Sequence, residues 1–322
     1  MKFALMRAFL SLILVCSSIC HIWAKAPETP KIVFASGRDD KRDIYLMNPD
    51  ATQQVKITNH PARDTSPVWS PTGEQILFAS DRDQGQLHWD IYLMDADGTN
   101  VQAVFAKSTD RSQPTWSPDG KQIAYRRREP SGTFIYIGTI DGKQEERVAI
   151  GSCPTWSPDG TEIAFVSGGR EQKHISILSL GTRKQKVIFP PKAPPSWIEG
   201  RVVWSPKGEK LAFSWLHQVP LKDFLNTQTI YIVNLDGTDL VQLVNKAGPK
   251  ATSPIWSPQG DALLYIHEQR QIFKIGVDGK QREQLTRIGV NYLGDWFDPT
   301  YALPVSPQPQ LLTTLWGKLK RE

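Results

Sequence analysis

The heptapeptide PTWSPDG occupies residues 114–120 and again 154–160. Related stretches read PVWSPTG at 67–73, VVWSPKG at 202–208 and PIWSPQG at 254–260, and a degraded form, GDWFDPT, follows at 294–300. The six tryptophans, Trp69, Trp116, Trp156, Trp204, Trp256 and Trp296, succeed one another at 47, 40, 48, 52 and 40 residues. A period of this length means stacked supersecondary units, each too small to bury its apolar residues alone. No other feature of the chain narrows the possible folds as far.

Each unit reads as four strands. In the second unit, SPVWS (66–70) is a short extended run, and Pro71-Thr72-Gly73 is a turn in which proline presets φ and glycine accepts a positive one. QILFAS (75–80) and DIYLMD (90–95) are β-rich and read as the next two strands. Ala96-Asp97-Gly98-Thr99 is a hairpin turn, and VQAVF (101–105) is a fourth strand. Every second strand carries one aromatic at the same place: Phe34, Phe78, Tyr125, Phe165, Phe213 and Tyr265. Third strands carry Tyr45, Tyr92, Tyr136, Tyr231 and Phe273, with Ser176 as the exception. One large aromatic per unit at a fixed place packs one small sheet on the next, so these columns and the six tryptophans are structural. Asp119 and Asp159 resemble a carboxylate pair, but Thr72, Lys207 and Gln259 fill the same slot. A metal site would not tolerate those replacements and a turn does, so no metal and no cofactor is expected.

The first unit begins at Lys31 with its second strand, whereas the last tryptophan copy has no second strand after it. Each supplies what the other lacks. The expected fold is all-β: a six-bladed β-propeller of four-stranded antiparallel blades, closed by a C-terminal strand that completes the first blade.

The remaining features bound the class. Lys2 and Arg7 precede an apolar run over residues 8–19, with small or permissive residues up to Ala24, the form of a signal peptide cleaved after Ala24. The expected organisation is a signal peptide (1–24), a short linker (25–30), the propeller (31–299) and a C-terminal extension (300–322). Cys16 and Cys20 leave with the signal, and Cys153 alone cannot form an internal disulfide. The length of about 300 residues allows one large core to supply the stability instead. The formal net charge of +5 falls to +3 without Lys2 and Arg7, and Lys318, Lys320, Arg321 and Glu322 hold +2 of that. A nearly neutral body offers no nucleic-acid footprint. A stable membrane span after cleavage is not expected, and the chain is read as a monomer.

W-S-P-D-G followed by I-A-F, and by I-Y-x-M-x-x-D-G-T, resembles the WD40-like repeat of TolB-type propellers, the PD40 repeat, over residues 31–299. The resemblance implies a periplasmic or secreted scaffold. TolB itself has an α/β domain ahead of its propeller, and here only residues 25–30 separate the signal from the first strand. Prolyl-oligopeptidase-like relatives add a hydrolase domain, but no G-x-S-x-G nucleophile elbow occurs in this sequence.

In such a ring, the turns joining first to second and third to fourth strands are short and share one face. The other face gathers the variable loops between second and third strands and the crossovers between blades, where binding usually sits. Arginines and aromatics there suit a protein interface. The candidates are Arg82, Trp89, Arg111, Arg126, Arg127, Arg128, Trp197, Trp215, His217 and Phe224. His60, His88, His174, His217 and His267 fall in different units without close ligand spacing. The function expected is a non-catalytic, exported scaffold that binds a protein or peptide partner in the cell envelope. The alternative is a metal-dependent hydrolase or lyase with its site in the central channel.

Overall fold

The computed structural model describes residues 25–83, 88–169, 173–189, 196–217, 228–245 and 250–304, without the side chains of Phe189, Ser196, Trp197, Glu199 and His217. The signal peptide over 1–24, and residues 305–322 of the C-terminal extension, lie outside the described residues. Twenty-four strands form six four-stranded antiparallel sheets.

Blade 1 holds β1 (Lys31–Asp39), β2 (Lys41–Met47) and β3 (Val55–Lys56). Blade 2 holds β4 (Asp64–Trp69), β5 (Gln75–Ser80), β6 (Asp90–Asp95) and β7 (Gln102–Ala103). Blade 3 holds β8 (Asp110–Trp116), β9 (Gln122–Glu129), β10 (Gly132–Thr139) and β11 (Glu145–Ile150). Blade 4 holds β12 (Ser152–Trp156), β13 (Glu162–Gly168), β14 (Lys173–Ser179) and β15 (Gln185–Phe189). Blade 5 holds β16 (Ser196–Trp204), β17 (Lys210–His217), β18 (Thr229–Asn234) and β19 (Val241–Gln242). Blade 6 holds β20 (Thr252–Trp256), β21 (Ala262–His267), β22 (Gln271–Gly276) and β23 (Glu283–Gln284). The last strand, β24 (Asn291–Phe297), pairs antiparallel with β1, so the C-terminal strand completes the first blade as the repeat pattern predicts.

The fourth strands of four blades are shorter than the sequence suggests. In blade 2 the strand ends at Ala103, and Val104 and Phe105 turn their side chains inward, 8% and 6% exposed, against Trp116 of the next blade. Val104 N still donates to Ile91 O at 3.0 Å, so the inter-blade burial is gained without losing that backbone bond. The apolar interior is also not one core. It is divided into six clusters, one between each pair of neighbouring blades. All six second-strand aromatics are 0% exposed. Five of the repeat tryptophans are buried at these junctions, and the Trp204 and Trp256 indoles donate to Thr155 O (3.3 Å) and Val203 O (3.2 Å) of the preceding blade. Trp296 differs: it is part-exposed, against the blade 6 cluster and beneath Lys274. Its neighbour Phe297 takes the buried role, 6% exposed and 5.5 Å from the Trp69 ring.

The recurrent W-S-P-x-G segment has a physical explanation in the ring. Gly120, Gly160, Gly208 and Gly260 all have positive φ, and a Cβ on each would lie 3.8, 3.6, 3.5 and 3.4 Å from the Cδ of Pro71, Pro118, Pro158 and Pro206 of the preceding blade. The turns therefore nest around one face. Asp119 and Asp159 are turn formers, each accepting from the serine two residues before (Ser117 at 2.7 Å, Ser157 at 2.6 Å) and from the backbone two residues after.

Candidate functional site

The first strands of the blades line a central channel. Each is bulged near its middle, with positive φ at Ser66, Gln113, Cys153, Gly200 and Ser253. The bulge at Gln113 leaves its side chain reaching the next blade, where Oε1 accepts from Cys153 N at 3.0 Å. On the short-turn side the channel encloses about 320 Å³, lined among others by Cys153, Arg201 and Asp295. Arg201 donates to Gly294 O, and Asp295 accepts from Trp69 N (3.1 Å) and Trp296 N (2.8 Å), so this pair ties blade 5 and blade 2 to the closing strand. Burial pushes the Asp295 carboxyl up and the Arg201 guanidinium down, and their mutual attraction opposes both shifts. Burial also pushes the Cys153 thiol up, which keeps it protonated and unreactive. Among the described residues no group of three or more His, Cys, Asp or Glu side chains is placed to hold a metal.

On the variable face a second cavity of about 540 Å³ shares Gln113 with the channel and is bounded by Ser253 and residues 266–270. Here the structure sorts the candidate residues. Arg82 is part of blade 2's own packing. Its Cζ lies 5.2 and 4.7 Å from the Phe78 and Tyr92 ring centroids, its Nε donates to Ser80 Oγ at 3.0 Å, and it pairs with buried Asp64. Arg38 repeats the device in blade 1, over Phe34 and Tyr45 and on Ser36. Arg111 is 2% exposed, held by Asp90 and Glu145 at 3.2 Å each, so a partner does not reach its charge. Arg127 pairs with Glu145 and stacks on Tyr136. Trp215 is 6% exposed, edge-on to Tyr231 in an inter-blade cluster. Arg82 and Arg127 thus pack within their own blades, and Arg111 and Trp215 join neighbouring ones. Arg126 is half-buried and Arg128 exposed, the latter 3.6 Å from Asp110. The Trp197 and His217 side chains, and Phe224 entirely, lie outside the described residues.

Trp89 is part-exposed and belongs to a larger arrangement that the loop pattern did not reveal. Arg63 and Arg42 lie 5.3 and 5.9 Å from the Trp89 ring centroid. Arg42 also lies 3.8 Å from the Tyr292 centroid, and Arg270 lies 4.1 Å from it. Arginine and aromatic side chains thus alternate across the rim of blades 6, 1 and 2. Arg42, Trp89 and Arg270 each stand three residues before the third-strand aromatic, Tyr45, Tyr92 and Phe273. Alignment of the units on that aromatic puts them in one column, which holds Thr133 and Gln228 before Tyr136 and Tyr231 and so does not single them out.

Known proteins agree with this architecture. The PD40 family model, described as the TolB beta propeller domain, matches residues 16–149, 83–188 and 150–300. No curated protein matches the chain. The crystal structure of TolB from Acinetobacter baumannii is similar at a TM-score of 0.69 and 18% identity, over 83% of this chain and 66% of that one, so the chain spans just under two thirds of that protein. A putative TolB from Agrobacterium tumefaciens gives 0.60 and 18%, over 84% and 91%. A chain of a nidogen/laminin complex gives 0.63 at 9% identity, over 83% and 98%. At such identities these likenesses speak for the fold. Together with a family match that runs through all six blades, they mean that the chain belongs to the PD40 family of TolB β-propeller domains.

Proposed function

We propose that this chain is an exported, non-catalytic scaffold of the cell envelope, periplasmic or secreted, that binds a protein or peptide partner on its variable face. The observation that carries this reading is the asymmetry of the two faces. One is a ring of nested, near-identical turns whose glycines abut the prolines of the preceding blade. The other carries part-exposed Trp89, Arg42 and Tyr292, exposed Arg128 and Arg270, and a cavity of about 540 Å³ that Arg270 borders. Exposed arginine and aromatic side chains on a rigid scaffold are the usual material of interface hot spots. Among the described residues no helix is long and apolar enough to cross a membrane.

The test is capture of a specific partner from envelope extract by the chain starting at Lys25. Charge reversal of Arg128 is expected to weaken capture more than reversal of Lys121 or Lys143 beside the short turns. Equal losses from both faces would remove the reason for choosing this one. Export is checked by mass spectrometry of the protein from its producing cell, where the chain is expected to begin at Lys25. An intact Met1 on the soluble protein would contradict it.

A further inference from the structure

At the rim of blades 6, 1 and 2 three arginines, Arg42, Arg63 and Arg270, gather against the Trp89 and Tyr292 rings. Arg63 is paired with Asp81 at 2.7 Å. Arg42 and Arg270 are different: among the described residues neither has a carboxylate within ion-pair distance, although both guanidinium groups lie against the one Tyr292 ring. Of the neighbouring acids, Asp40 in the β1–β2 turn is exposed and within ion-pair distance of neither arginine, and two others are engaged elsewhere. Asp43 is taken by Lys41 and Lys56, and Glu268 by Arg282 and His267.

Holding two guanidinium groups together without a counter-charge is unfavourable. Burial pushes the Arg42 guanidinium down from its ordinary range, and the Arg63 and Arg270 charges push it further, with only Tyr292 opposing. Residues 268–270, which carry Arg270 to this place, form a three-residue turn with φ of 29, 45 and 62° and no glycine. Non-glycine residues are strained in this region, and such strain concentrates where a side chain must be held for a ligand. The backbone of the same turn is pinned by Asn291 N donating to Arg270 O at 3.1 Å.

We propose that Arg42 and Arg270, backed by Tyr292 and Trp89, form a carboxylate clamp that seats an acidic side chain of a peptide segment of the partner at the mouth of the channel. Stacking on a ring occupies the face of a guanidinium and leaves its N–H donors for a planar, two-oxygen acceptor. Tyr292 and Trp89 supply apolar surface beside the charge, which a peptide uses and a free ion does not. Two cations without an ion-pair partner, one part-buried and one exposed, are too few and too local for a lipid surface or a nucleic acid, both of which take several exposed cations spread over a face.

This inference rests on the variable face being the binding face, and its test is independent of the partner's identity. The probe is an acetylated, amidated peptide of sequence Gly-Glu-Tyr-Glu-Gly, compared with its glutamine twin by isothermal titration calorimetry on the full chain. The acidic peptide is expected to bind about tenfold tighter than the twin, and Arg42→Gln or Arg270→Gln is expected to remove most of that preference. Arg42→Lys keeps the charge but not the flat fork, and is expected to bind like Arg42→Gln rather than like the parent. Melting curves identify any variant that fails to fold, and Arg270→Gln, at an exposed turn, serves if Arg42→Gln does. Equal binding of the two peptides, no binding of either, or unchanged binding by the double variant overturns the clamp. So does inorganic phosphate binding as tightly as the peptide, or arginine-dependent sedimentation with phosphatidylglycerol vesicles. If a partner is captured through this face but ignores Arg42 and Arg270, the clamp fails and the scaffold reading stands.

Discussion

Replacing Phe297 by alanine tests how the ring is closed. Phe297 is the last residue of β24, 6% exposed, and its ring packs 5.5 Å from that of Trp69 in blade 2. It also fills the space over Gly73, where a Cβ would overlap the Phe297 ring. Its backbone partner is Lys31 at the start of β1. The truncation therefore opens a cavity at the junction that joins the two ends of the ring. A buried Phe→Ala change costs about 3–5 kcal/mol, a large share of the roughly 5–15 kcal/mol that holds a domain folded. At about 2–4 °C per kcal/mol for a domain of this size class, the melting temperature falls by roughly 6–20 °C. Differential scanning calorimetry reads the shift against Ile288→Thr, a nearby change at a residue 59% exposed that should move it little. A chain ending at Val290 is the stronger form, because it exposes the hydrogen-bonding edge of β1 and is expected to aggregate. If Phe297→Ala melts with the Ile288 control, β24 does not carry the junction and the closure argument is wrong.

Further outcomes follow from the same geometry. Arg111→Met strips the partner from buried Asp90 and from Glu145 and is expected to cost about 3–5 kcal/mol in a denaturant titration, while capture per folded molecule stays unchanged. Gly142→Ala forces a Cβ onto Val104 O at φ 67° and should destabilise by about 1 kcal/mol or more, whereas Gly181→Ala, with open space around it, should be silent by the same titration. Hydrogen bonds from Thr139 and Lys143 hold Asp141 down at about 2, and Ser117 and Ser157 first among other donors hold Asp119 and Asp159 below the ordinary 3.8. These folded-state values are depressed, so the stability they confer is present above about pH 4 and is lost as pH falls through the window toward 2. Melting temperatures measured across that window should decline, and less steeply in a variant carrying Asp119→Asn, Asp141→Asn and Asp159→Asn together.

The fold was legible because the repeat writes its own constraint six times. A tryptophan before Ser-Pro and an aromatic in the next strand imply a sheet edge and an inter-blade layer wherever they recur. The missing first strand and the surplus last one announced the closure. The outer strands were less legible, since Val104 and Phe105 read as strand residues by composition yet lie past the end of the strand, with their side chains turned in to the cluster of Trp116. Trp296 shares the tryptophan position but not the burial, because Phe297 carries the apolar load at the seam. The binding face was legible as a face, not as residues. Arg82 and Arg111 read as loop arginines, and only packing against Phe78, Tyr92 and Phe105 shows them to be staples. The repeated S-x-R-D of residues 36–39 and 80–83 was the sign for Arg82. Arg42 and Arg270 escaped because the position they share holds Trp89 in blade 2, so the column shows no chemical identity until the blades are superposed.

Site-specific photocrosslinking in the producing cell addresses the central claim most directly, that the variable face is where a partner sits. A benzophenone amino acid is placed at Trp89, and in a second strain at Lys121 beside the nested turns. The account predicts a discrete crosslinked product from the Trp89 position, weakened by Arg42→Gln with Arg270→Gln, and none from Lys121. A product from Lys121 alone, or the same product from both positions, would contradict it.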